Sequence, residues 1–135
     1  MVLRTEGNTK KVDEHILVCL SAAPSNKKIV DTAGKMAKVL KARFTALYVR
    51  TGTKSEERDK EKLEEHIRYA EKLGAEIVMT HGENIPVQIA EYAKLSNVTK
   101  IVIGQSNARR NHFFSKPTLT EKLIELVPDI DIYII

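Results

Sequence analysis

The chain has 135 residues, 42% of them hydrophobic, which supplies the core of one globular domain and leaves too little length for two. Lys and Arg number 22 against 18 Asp and Glu, and this mild, dispersed excess suits a small anionic ligand while excluding a charge-based argument for nucleic acid. The single Cys19 excludes an internal disulfide, and with neither a charged-then-apolar leader nor a long apolar run the chain reads as cytoplasmic.

Residues 1–13 are polar and aperiodic and read as a linker or cloning remnant, so the domain is expected over 14–135. The run His15-Ile16-Leu17-Val18-Cys19-Leu20 is nearly all apolar, as in a central strand covered on both faces. Cys19 lies within it and reads as inert packing. Ser21-Ala22-Ala23-Pro24-Ser25-Asn26 then supplies turn formers and several helix caps. A first helix is predicted from Ile29, Ala33, Met36, Ala37 and Leu40, with Lys27, Lys28, Lys35, Lys38 and Lys41 forming a solvated face.

Phe44 to Val49 reads as strand two. A polar connection follows, and from Glu56 to Leu73 the pattern is helical, with Leu63, Ile67 and Ala70 inward and Glu56/Lys60 spaced for an i,i+4 pair. Gly74 is placed to end that helix. Strand three spans 76–80, and Asn84 followed by Pro86 starts a helix aligned on Ile89, Ala90 and Ala93.

Strand four, 99–104, delivers a basic loop bearing Arg109, Arg110, His112 and Lys116. Thr118 and Glu121 fit a capping box for a helix with Leu119, Leu123 and Leu126 inside. Strand five closes the chain at 130–135, and its apolar end, Tyr133-Ile134-Ile135, would make a sticky edge compatible with a homodimer.

Alternating strands and helices predict an α/β fold: a three-layer, doubly wound, five-stranded parallel sheet. In the order 3-2-1-4-5 the switch point lies between strands one and four, where 21–26 and 104–118 converge. The basic residues there suit phosphate, or else a solvated loop facing a neighbouring domain. Phe113-Phe114 would stack on a purine or anchor the loop. His15, His66, His81 and His112 lack metal-ligand spacing, and no catalytic arrangement is visible, so no metal site and no enzyme is expected.

Ile16-Leu17-Val18 with its small-residue loop, Ile101-Val102-Ile103-Gly104 and the closing helix and strand resemble the universal stress protein family over 14–135. The resemblance implies a Rossmann-like, adenine nucleotide alpha hydrolase-like fold. ATP-binding members carry an aspartate after strand one and G-x2-G-x9-G-[ST] after strand four. Here Ser21 takes the aspartate position; Gly104 and Thr118 match, while Asn107 and Pro117 replace two glycines. Those replacements remove close backbone approach and one N–H donor, and so demote ATP.

Val98 to Ser106, the Arg-rich loop and Asp129-Ile130-Asp131-Ile132-Tyr133 are more similar to the stress-protein-like domain of KdpD-type potassium-sensing histidine kinases. Some members of that group are cyclic di-AMP receptors with a C/G/A-x-S-x-S-x2-N element and an F-T-A-x-Y element. Cys19, Ser21 and Asn26 match the first, with Ala23 for the second serine; Phe44, Thr45, Ala46 and Tyr48 match the second. The resemblance implies a regulatory domain that binds cyclic di-AMP and modulates kinase signalling and potassium-uptake gene expression, with the rest of the parent kinase as partner. The implied contacts are Ser21, Ala23, Asn26, Tyr48, Arg50, Gly104, Gln105, Ser106, Arg109, Arg110, His112, Lys116 and Thr118. Phe44, away from the cleft, reads as core. The alternatives are an ATP-binding stress protein and a protein-docking domain without a small ligand.

Overall fold

The apolar run at the start of the domain becomes the central strand β1 (His15–Cys19), buried along its whole length. The structure, a computed structural model, describes residues 13–105 and 118–135. After β1 come α1 (Asn26–Leu40), β2 (Arg43–Arg50), α2 (Lys54–Arg58), α3 (Lys60–Lys72), β3 (Glu76–His81), α4 (Ile85–Leu95), β4 (Lys100–Ile103), α5 (Leu119–Leu126) and β5 (Asp131–Ile134). The strands form one sheet in the order β3-β2-β1-β4-β5, every neighbouring pair parallel, as predicted. Register places Leu17 beside Thr45 on one side and Ile101 on the other.

Strand alternation divides the core into two layers. Ile16, Val18, Ala46 and Val102 face α1 and α3, where they meet Ile29, Val30, Ala33, Leu63 and Ala70. Leu17, Cys19, Leu47, Ile101 and Ile103 face α4 and α5, packing with Ile89, Ala90, Ala93 and Leu123. Phe44 is half-buried against the first layer, so the F-T-A-x-Y strand splits its side chains between two faces.

Local signals set most element ends. The Asn84 side chain accepts from the Val87 N–H at the start of α4. The Thr118 hydroxyl accepts from the Glu121 N–H, and Glu121 Oε1 accepts from the Thr118 N–H, completing the capping box of α5. Gly74, at φ +95°, occupies a backbone region that side chains resist and ends the α3 segment. At α1, by contrast, Ser25 precedes the helix without a side-chain cap bond.

Two expectations are corrected. The helix read as continuous from Glu56 is two helices broken at Asp59, because Glu56 turns inward to the end of β2 instead of lying along a helix face toward Lys60. Leu40, read as part of the inner stripe of α1, is 40% exposed; the buried stripe ends at Ala37 and includes Val30. The left-handed Lys41, φ 52°, caps the helix end with its N–H on the Ala37 and Lys38 carbonyls.

The amino ends of the strands are closed by polar side chains. Lys100 pairs with Glu14 at 3.1 Å and Asp131 at 3.5 Å, tying β1, β4 and β5 together. His15 donates from Nδ1 to the Ser96 carbonyl, 2.9 Å, since a carbonyl can only accept, and Nε2 therefore accepts from the Thr45 hydroxyl at 2.7 Å. Burial holds the His15 pKa below the ordinary imidazole value. The folded chain thus stays neutral at His15 while the unfolded chain is already binding a proton, and stability drops as pH falls through that interval. We expect His15→Gln to remove this part of the slope, measured as urea midpoints of both proteins between about pH 7 and about pH 5.

Candidate functional site

With the amino ends closed by these bonds, the opening in the sheet lies at the carboxyl ends of β1 and β2, where a cavity of about 260 Å³ is found. Its floor is Cys19, Leu20, Leu47 and Val49 from the two strands, and its β1 wall is Ser21 and Ala22. Thr51, Thr53, Ser55, Glu56 and Asp59 form a polar wall on the segment after β2. Leu63, Ile85, Ile89 and Leu119 close it from α3, α4 and α5. An apolar floor with convergent polar groups on one side is what a small-molecule site requires.

The β1–α1 loop is fixed by its own bonds. The Ser21 hydroxyl accepts from the Ala23 N–H, 3.2 Å, and the Ser21 carbonyl accepts from His66 Nδ1 on α3, 2.8 Å. Asn26 is 1% exposed; its amide donates to the Cys19 carbonyl at 3.2 Å, while its Oδ1 is buried without a partner among the described residues. Asn26 therefore braces the loop from beneath, and Ser21 is the polar member of the first element that lines the cavity, beside Cys19 on its floor. The Cys19 thiol, on the floor, is pushed up to about 12 by burial and stays protonated and inert.

Tyr48 faces the same cavity from β2 and donates its hydroxyl hydrogen bond to Glu56 Oε2. That carboxylate also accepts from the Thr51 N–H, 3.1 Å, and the Gly52 N–H, 3.2 Å. Burial, and then the neighbouring Glu56, raises the Tyr48 pKa, while the hydrogen bonds, Tyr48 first, lower that of Glu56. The pair at neutral pH is a neutral phenol donating to an ionised carboxylate. Thr53 caps α2 by accepting from the Glu56 N–H, 3.2 Å, so the segment that carries Glu56 is itself ordered.

The sequence-predicted residues divide accordingly. Ser21 and Tyr48 are brought together in the cavity wall, and Leu119 extends it to the residue after Thr118. Ala23 lies in the adjoining loop, Asn26 opens α1, and Arg50 is exposed with its carbonyl bonded to the Gly82 N–H. Gly104 is buried at the end of β4, and the Gln105 N–H bonds the Ile135 carbonyl, 2.9 Å. The Thr118 N–H is taken by Glu121. Ser106, Arg109, Arg110, His112 and Lys116, with Asn107, Phe113, Phe114 and Pro117, lie outside the described residues.

Glu56, Asp59 and Thr51 were not legible as site residues. Glu56 sits four before Lys60, a surface-pair spacing, and only Tyr48, at the cleft end of a strand, hinted that a partner was needed there. Among the described residues no cluster of three His, Cys, Asp or Glu side chains is arranged to hold a metal, and no helix is long and apolar enough to cross a membrane.

A scan against models of known protein families finds no match. The chain is 41% identical over 125 residues to the sensor protein KdpD of Clostridium acetobutylicum, covering 90% of this chain and 14% of that protein. It is 27% identical over 118 residues to KdpD of Escherichia coli, covering 86% of this chain and 13% of the relative. The chain therefore spans about one-seventh of the length of these relatives. Among solved structures it superposes on a universal stress protein in complex with cAMP at a TM-score of 0.72 and 16% identity, covering 93% of this chain and 98% of the other. The universal stress protein of Archaeoglobus fulgidus in complex with dAMP matches at 0.61 and 18% identity, covering 92% and 98%. The fold is that of the universal stress proteins, and the homologues are KdpD sensor proteins.

Proposed function

We propose that this chain is a cytoplasmic regulatory domain of a KdpD-type sensor kinase that binds cyclic di-AMP and passes its occupancy to the rest of the parent protein. The observation that carries the reading is the cavity at the carboxyl ends of β1 and β2, walled by Ser21 and Tyr48, one from each receptor-like element. KdpD relatives support the regulatory setting, and stress-protein structures with cAMP and dAMP support an adenine nucleotide as occupant.

At about 260 Å³ the cavity lies just below the usual range of about 300–1,000 Å³ for ligand pockets. It fits one nucleoside half, with phosphates and the second half directed toward the β4–α5 connection that carries Arg109, Arg110, His112 and Lys116 in the sequence. Glu56 and Asp59, carboxylates of the cavity lining, repel phosphate and favour its lying outside the cavity. Occupancy would bias the attached kinase through contacts on both sides of the cleft.

An adenine mononucleotide such as ATP is the second reading, favoured by the occupants of the two structural relatives. Calorimetric titration with cyclic di-AMP, ATP and cyclic di-GMP separates them. Micromolar or tighter binding of cyclic di-AMP alone is the expected result; heat with ATP only would restore the mononucleotide reading. Silence from all three would remove the nucleotide site and leave a protein-docking domain.

A further inference from the structure

We propose that Glu56 is the specificity residue for the nucleoside half, accepting a hydrogen bond from the exocyclic amine of the base or from a ribose hydroxyl. The inference rests on the nucleotide reading above. A carboxylate offers about four acceptor positions. Among the described residues three are filled, by the Tyr48 hydroxyl and Thr51 N–H on Oε2 and by the Gly52 N–H on Oε1, and Glu56 makes no ion pair. Among those residues one position on Oε1 is left, in a residue that lines the cavity.

That position can take only a donor, which a phosphate or a ring nitrogen lone pair does not supply. The three existing bonds also fix the carboxylate before a ligand arrives, so little side-chain freedom is lost on binding. A ligand lacking the donor would leave a charged acceptor facing an apolar group, and such sites reject analogues more strongly than apolar pockets do. Asp59 and the hydroxyls of Thr51, Thr53 and Ser55 give the same wall further acceptors, consistent with a sugar or amine end there.

The test is a calorimetric comparison of cyclic di-AMP, its 2′-deoxy analogue and its amine-free purine analogue on the full chain, its Glu56→Ala variant and its Tyr48→Phe variant. The wild type is expected to bind one analogue about tenfold more weakly than the parent, and which analogue fails identifies the donor. Glu56→Ala is expected to bind all three within about twofold of one another. Tyr48→Phe removes the hydroxyl bond to Glu56 but keeps the carboxylate, and it should retain the discrimination while weakening all three alike.

Unchanged discrimination in Glu56→Ala overturns this inference and leaves the nucleotide reading standing. So does discrimination lost equally in Tyr48→Phe, which would assign it to loop order and not to the carboxylate. No binding of any of the three by the wild type removes the nucleotide reading and this inference with it.

Discussion

Leu17→Ala is expected to lower the unfolding free energy by about 2–5 kcal/mol, the range for large-to-small changes at sites that cannot collapse. Leu17 is fully buried on the central strand, paired to β2 and β4 on its two sides and covered by α4 and α5. Its neighbours Leu47, Ile101 and Leu123 are buried to the same degree, and two of them sit on strands whose spacing is fixed by the sheet ladder. The hole would therefore persist. Val39→Ala, at an 80% exposed position, is the matched control and should stay within about 0.5 kcal/mol. Urea unfolding with an unchanged slope and a shifted midpoint measures both. A change under about 1 kcal/mol for Leu17→Ala would mean that the layer repacks and that the two-layer description of the core is wrong.

The strands and helices were legible because they are encoded locally, and their alternation implies the parallel doubly wound sheet. A short apolar run such as His15 to Leu20, bounded by turn formers, fits a strand buried on both faces, and Asn84 or Thr118 with Glu121 marks a helix start wherever the rest of the chain goes. The candidate site was legible on its β1 side for the same reason: Ser21 follows the central strand and must emerge at its carboxyl end. The polar wall was not. Glu56 meets Tyr48 only because the chain turns back over the end of β2, and no spacing pattern reports that return. Asn26 shows what a motif does not report, since its side-chain amide donates to the Cys19 carbonyl beneath the loop. Leu40 failed because helical periodicity assumes a core that extends as far as the helix does.

Ser21→Tyr should cost at least about a hundredfold in nucleotide affinity, equivalent to about 2.7 kcal/mol, while the fold is kept. Ser21 lines the cavity, and among the described residues its hydroxyl is engaged only by the Ala23 N–H in a local turn. The contact that fixes this residue to α3 is made by its carbonyl with His66, which any side chain leaves intact. A phenol ring at this position competes with the ligand for a volume of about 260 Å³ without opening a hole in the core. Ser21→Ala separates blocking from bonding: loss of a single neutral hydrogen bond costs about 1 kcal/mol, or roughly fivefold. Calorimetric affinities for wild type and both variants, with thermal melts to confirm the fold, give the ratio. Wild-type affinity in Ser21→Tyr would place the nucleotide outside this cavity and move the site toward the β4–α5 connection; a full loss in both variants would instead make the hydroxyl itself the anchor.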